Sequence, residues 1–376
     1  MMTARPLRAG VAALLLGAVL VAWGGEHAAR SAAHERLLQQ GEGQLAAGDA
    51  AAALDTLERA AAMGHDPDTE MALVRALMAQ GEYRRAQAFA AHVAGGHLEA
   101  PEAAALYGWL LCVGGQCPYG RALVEQALGR AANHPVLAAA AATLREPGAL
   151  PGGILLQRPQ RVAPPDIAAQ AAHPESWRVA GSGVLMDDGL HALLPLEALQ
   201  GRAFAAVRDG LGRLRTVTLV RAIAPLGLAL VRLDVRLDAG FLARGPREGF
   251  AGSPSYAVAF TPSSDGAAAW PWLYAGFLGR AGAAGTAPRL GIELPSRVAQ
   301  AVVYDAAGRM LGLALRDDQG TPRLLSARHL RDALGEATGD ATGEVLLPSH
   351  EAAARLNVDD IYQRAMRTTL QVLVGP

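Results

Sequence analysis

The chain is 376 residues long, enough for two or three domains that each bury a core of their own. Its 34 Lys and Arg are matched by 35 Asp and Glu, a net charge of −1, so it lacks the basic footprint of a nucleic-acid-binding protein and no nucleic-acid partner is expected. With 2 Cys in all, neither a haem-attachment motif nor a four-ligand zinc set can be assembled, and no metal or cofactor is expected.

Arg5 and Arg8 precede an uncharged stretch, residues 9–25, and Glu26 follows. A basic flank before an apolar core is an export signal. The stretch is short of the roughly 20 residues a span needs, and no small-x-small cleavage site follows it. Residues 1–27 read as a single uncleaved anchor that leaves the rest of the chain on the periplasmic side of the inner membrane. The alternatives are a signal peptide, cleaved to leave a soluble periplasmic protein, or a buried helix of a cytosolic one.

From residue 33 to residue 145 the text is rich in Ala, Leu, Glu and Arg at helical spacing and nearly free of strand signals. It also repeats. Gly48 with Ala53 recurs 33 residues later as Gly81 with Ala86. A glycine lets the chain reverse between two helices, and a small residue five positions on lets the second helix pack closely against the first. Residues 102–135 form a third unit with Ala122 in register after an insertion at Gly114, Gly115 and Gln116. The segments LAAGDAAAALDTLERA and LMAQGEYRRAQAFAAH resemble tetratricopeptide repeats, and that resemblance implies an α-solenoid with a concave face that binds peptides, helices or other subunits. Cys112 and Cys117 bracket the third turn; in an oxidising compartment they can close a loop worth about 2 kcal/mol, and otherwise they are two ordinary thiols. His65, His92, His97 and His134 fall near predicted helix ends and read as solvated or capping side chains.

Pro and Gly crowd residues 146–175, a semi-extended linker. Residues 176–340 then alternate short apolar runs with Gly, Pro and Asp turns, an all-β pattern. WRVAGSGVLM with the turn Asp187-Asp188-Gly189 opens it, HALLPLEAL and LGLALVRLDV follow, and RVAQAVVYDAAGRMLGLAL predicts a hairpin turning at Asp305 to Gly308. This series resembles the two-barrel domain of trypsin-like serine proteases, in particular the HtrA/DegP-like branch. Laid on that pattern, the catalytic histidine falls on Leu196, the aspartate on Gly227 and the serine on Ala299, while the first oxyanion-loop glycine has become Arg297.

None of Leu196, Gly227 and Ala299 can attack a carbonyl or move a proton, and loss of such groups costs on the order of a million-fold in rate. The resemblance therefore implies a trypsin-like double barrel that is not an enzyme. The expected work is binding, as a scaffold or assembly factor of the bacterial envelope whose repeat groove and β domain take protein partners, an envelope subunit or a peptide segment. The alternatives are a divergent serine hydrolase, with a relocated triad of Ser296 or Ser182, His191 and Asp187 or Asp188, and a chaperone-like quality-control factor. In residues 341–376, VDDIYQRAM predicts a short helix and TTLQVLV a strand. DIYQRAMRTTLQVLV resembles the segment that leads into the first barrel of HtrA-like proteases. An apolar terminal strand needs a partner, so it is expected to add to an edge of the β domain or to dock on another protein.

Overall fold

The computed structural model describes residues 29–145, 177–202, 204–237, 250–262, 270–280, 288–317, 319–338 and 355–375. The apolar N-terminal segment and the Pro/Gly-rich linker lie outside them. No helix of the described residues is long and apolar enough to cross a membrane.

Seven helices come first among the described residues: α1 (29–46), α2 (Ala50–Ala61), α3 (Pro67–Ala79), α4 (Tyr83–Gly96), α5 (Pro101–Val113), α6 (Cys117–Arg130) and α7 (Pro135–Arg145). The first six form three hairpins, and each reverses on a glycine of positive φ: Gly48 at 82°, Gly81 at 75° and Gly115 at 89°. The hydrogen bonds across the three turns are the same. Asp49 N donates to Gln44 O at 3.0 Å, Glu82 N to Leu77 O at 2.8 Å and Gln116 N to Leu111 O at 2.8 Å, the six-to-one bond that closes a helix at a left-handed glycine.

The third unit is thus in register at Gly115, with no insertion. Its packing residue, five positions on, is Gly120 and not the expected Ala122, which is exposed. A Cβ at Gly120 would run into the carbonyl oxygen of Gly108, so α5 and α6 cross at two glycines where the backbones touch. A disulfide joins Cys112, near the end of α5, to Cys117 at the start of α6.

Twelve strands follow among the described residues. One sheet is a closed barrel in the order β1 (Arg178–Leu185), β12 (Thr369–Val374), β3 (Ala205–Asp209), β4 (Leu214–Ile223), β5 (Leu228–Leu233) and β2 (His191–Pro195), which is followed by a short helix α8 (Leu196–Leu199). The other runs β11 (Pro322–Ser326), β10 (Met310–Arg316), β9 (Gln300–Asp305), β6 (Pro254–Ala259), β7 (Trp272–Leu278) and β8 (Leu290–Gly291), and its two ends meet through a bridge between Arg289 and Arg323. Helix α9 (Ala327–Thr338) leaves β11, and α10 (Val358–Thr368) leads directly into β12.

When β12 is counted ahead of β1, the two sheets have the same strand order. The last strand of the chain therefore occupies the place of a first strand. It lies between β1, where Val184 pairs with Thr369 and Arg178 with Val374, and β3, where Asp209 pairs with Leu370 and Ala205 with Val374. Of the two expectations, the strand joins the β domain of its own chain and does not dock on another protein, but it does so as an interior strand paired on both sides. All six of its residues are buried, and its polar Gln371 accepts from the buried Arg208 guanidinium at 2.9 Å.

Three hairpins of the β region turn on one device. Asp209, Asp305 and Asp317 each accept from the backbone N–H two and four residues on, through Oδ1, and the glycine three residues on, Gly212, Gly308 or Gly320, takes positive φ. Asp-x-x-Gly is thus a structural motif here, and it places β3 with β4 and β9 with β10 at equivalent points of the two sheets.

Helix α10 binds the halves together. The Tyr362 ring meets Tyr83 edge-on with centroids 4.5 Å apart, and its hydroxyl donates to Pro271 O at 2.6 Å. Arg84 N donates to Gln363 Oε1 at 3.2 Å, and Trp109 of α5 packs edge-on to Trp272 of β7 at 5.4 Å. One apolar core consequently runs from the helices through the second sheet to α10.

Ending the chain after Thr368 leaves β1 and β3 without their shared neighbour. Leu370, Val372, Leu373 and Val374 are each fully buried, and burial of such a side chain is worth about 1.5–3 kcal/mol, so their combined loss reaches the roughly 5–15 kcal/mol that holds a domain folded. The truncated chain is expected to aggregate on gel filtration; a soluble form with a cooperative thermal transition would contradict this placement of β12.

Candidate functional site

Strand β2 ends at Pro195, and the chain turns at once into α8. Beside it a 3₁₀ turn, Ala224–Leu226, ends at Gly227, whose φ of 64° is left-handed, and β5 begins at the next residue. Leu196 N donates to Gly227 O at 2.8 Å, and Pro195 pairs with Leu228 in the ladder. The structure thus brings Leu196 and Gly227 together. Gly227 is exposed and a Cβ there would meet nothing within 4 Å, so it is the left-handed backbone and not crowding that favours glycine at this position.

Ala299 stands on the other sheet, exposed, one residue before β9, and no hydrogen bond among the described residues ties it to the other two. The loop ahead of it turns at Pro295, whose carbonyl accepts from Val298 N at 2.9 Å. Arg316 of β10 clamps this loop. Its guanidinium donates to Val298 O at 2.9 Å, Leu294 O at 3.0 Å and Pro295 O at 2.7 Å. An oxyanion hole needs converging N–H groups. Here the carbonyls converge, and they converge on a cation. Arg316 escaped the sequence reading because nothing in ALRDD marks which backbone oxygens that side chain will meet.

The residues considered for a relocated triad do not assemble. Ser182 is fully buried; its hydroxyl accepts from Phe260 N at 2.8 Å and reaches Phe260 O at 3.3 Å, a staple from β1 to the end of β6. His191 Nδ1 lies 2.6 Å from Asp188 Oδ2, and Asp188 Oδ1 accepts from the backbone N–H of Leu190 and His191, both at 2.9 Å. Asp and His form a pair, with no serine hydroxyl bonded to it among the described residues. Ser296 is exposed in the turn before β9.

A serine does meet an imidazole elsewhere: Ser326 Oγ is 2.8 Å from His329 Nδ1 and also accepts from His329 N at 3.3 Å. A hydroxyl accepting the N–H three residues on is a helix cap, here for α9. The apolar cavity that α9 covers, lined by Leu185, Met186, Leu193, Met310, Leu330 and Leu334, measures about 10 Å³, about the room one water needs.

Of the histidines that read as scattered helix-end residues, three do not stay apart. His65, His92 and His97 gather around the buried Glu70, while His134 Nε2 pairs with Glu102 Oε1 at 3.1 Å. Their sequence separations follow no metal motif, so only the packing of α3 on α4 reveals them.

The chain matches no family model and none of the curated proteins in sequence. Among solved structures it is similar to the protease domain of MamO from Magnetospirillum magneticum, at 16% identity over 42% of this chain and 95% of that one, with a TM-score of 0.31. It is also similar to a serine endoprotease from Yersinia pestis, at 14% identity over 44% of this chain, with a TM-score of 0.35; the match spans 64% of that protein's length.

Two predictions follow from the geometry. Replacing Arg316 by Met removes the clamp on three loop carbonyls and is expected to cost about 1.5–3 kcal/mol in urea unfolding, with Arg316→Lys recovering little because a single ammonium cannot span the three acceptors. Burial works to raise the Asp188 carboxyl, but the His191 imidazole and the two backbone N–H groups outweigh it and hold the group below the usual carboxylate range. A depressed native pKa adds stability that is present above the unfolded value, about 3.9, and is lost as pH falls through the native one. Asp188→Asn is therefore expected to flatten the loss of stability below about pH 4, read as urea midpoints across an acid series.

Proposed function

We propose that this chain is a non-catalytic protein-binding scaffold or assembly factor of the bacterial cell envelope, a tetratricopeptide-like helical region joined to a trypsin-like, HtrA/DegP-like body whose catalytic groups are gone. The observation that carries the reading is the corner of Leu196 and Gly227. The two positions that the family pattern assigns to base and acid meet at 2.8 Å through their backbones, and they bear an isobutyl group and a hydrogen. The third, Ala299, bears a methyl, beside a loop whose carbonyls are turned to Arg316.

Three hairpins on glycines 33 and 34 residues apart, each closed by the same hydrogen bond, support the tetratricopeptide reading and with it a groove for a peptide or a helix. In the β region the first barrel is closed and offers no edge. The second has a seam, where the two-residue β8 meets β11 through the Arg289–Arg323 bridge, and an extended peptide adds there by strand pairing. The Cys112–Cys117 disulfide suits an oxidising compartment, and with the apolar N-terminal segment it supports a periplasmic site, tethered to the inner membrane.

A hydrolase reading has one contact in its favour, Ser326 against His329 at 2.8 Å, but Ser326 is a buried residue and its hydroxyl is engaged as a helix cap. A fluorophosphonate probe separates the two readings. The native chain is expected to label no more than its heat-denatured form, and stoichiometric labelling of any serine, Ser296 and Ser326 first among them, would overturn the scaffold.

A further inference from the structure

Four side chains converge at one end of the α3 and α4 hairpin. His65 lies in the turn ahead of α3, Glu70 in its first turns, His92 near the end of α4, and His97 follows α4 as its cap. His65 Nδ1 is 3.1 Å from Glu70 Oε1, and a donor atom from each of His65, Glu70 and His92 lies within 4.8 Å of the other two. The rings of His65 and His92 stand 6.3 Å apart between centroids.

Glu70 is the unusual member. Its side chain is only 2% exposed, and burying a carboxylate is costly unless hydrogen bonds or a cation meet it. Oε2 has His97 Nε2 beside it at 3.2 Å, and His97 Nδ1 is in turn 3.0 Å from Glu99 Oε1.

We propose that His65, Glu70 and His92 hold a divalent transition-metal ion of the zinc class, with His97 as a positioning residue that fixes the carboxylate from behind. Two imidazoles and a carboxylate suit borderline ions such as Zn²⁺ and Co²⁺, whereas Ca²⁺ and Mg²⁺ take oxygen ligands. Glu70 brings a buried carboxylate facing two exposed imidazoles, a setting in which a cation is favoured. His65 and His92 are exposed, so solvent reaches the ion and water fills the remaining position. The chain of carboxylate, His97 and Glu99 repeats the usual arrangement in which the partners behind a ligand orient it. Such an ion would pin the turn before α3 to the far end of α4. All four residues belong to the helical region, and none to the β region.

The test is a titration of the untagged full chain, stripped by chelator, with Zn²⁺ or Co²⁺. One equivalent is expected to bind, with visible Co²⁺ absorption and a raised Tm. The double variant His65→Ala/His92→Ala, both at exposed positions, is expected to lose affinity by ~100-fold or more, and His97→Ala by roughly 10–100-fold with the stoichiometry unchanged. His134→Ala is expected to bind as the parent does. Absence of stoichiometric uptake, or uptake that survives in the double variant, overturns the site.

Discussion

The structure depends on the strand that comes last. A six-stranded barrel leaves no backbone group unpaired only when every neighbour is present, and the gap between β1 and β3 is filled by residues 369–374. Because α10 runs straight into that strand, filling the gap also seats Tyr362 against Tyr83 and Pro271. One insertion thus closes the first barrel and locks the helical region onto the second sheet. Neither can be complete before residues 358–374 arrive. Contacts between such distant positions are slow to form, although the entropic cost of closing the long loop grows only as its logarithm.

The frame around Leu196, Gly227 and Ala299 is likewise held by contacts that do not involve their side chains. The corner at Leu196 is held by a backbone bond to Gly227, and the loop ahead of Ala299 by a guanidinium on three carbonyls. Neither support uses the side chains that a hydrolase would need. Ser182 and Tyr304 serve the frame too: one hydroxyl ties β1 to the end of β6, and the other lies 2.8 Å from Thr368 Oγ1 at the root of β12.

Local chemistry made much of this legible in advance. Val302, Val303 and Tyr304 followed by Asp-Ala-Ala-Gly define a strand and its turn within a dozen residues, and the hairpin formed where they stand. Gly48 and Gly81 mark two helix reversals because a left-handed backbone asks for glycine at that residue and nowhere else. The third reversal was misread by the same reasoning. Gly114 and Gly115 are adjacent, and only the φ of Gly115 tells which one turns the chain, so the packing position moved from Ala122 to Gly120.

What the residue order settles here is whatever depends on neighbours in the chain: the helix hairpins with their period, the Asp-x-x-Gly turns, the alternation of short strands, and the absence of reactive groups at Leu196, Gly227 and Ala299. Tertiary structure alone decided which distant pieces meet. It placed TTLQVLV inside a barrel whose other strands lie far upstream, drew His65, His92 and His97 to Glu70, and turned the carbonyls of Leu294, Pro295 and Val298 toward Arg316. The reason is physical. Turn and helix preferences are local energies of a few φ and ψ angles, whereas pairing of remote segments is decided by the burial and hydrogen bonding of the whole assembly, which no short stretch encodes by itself.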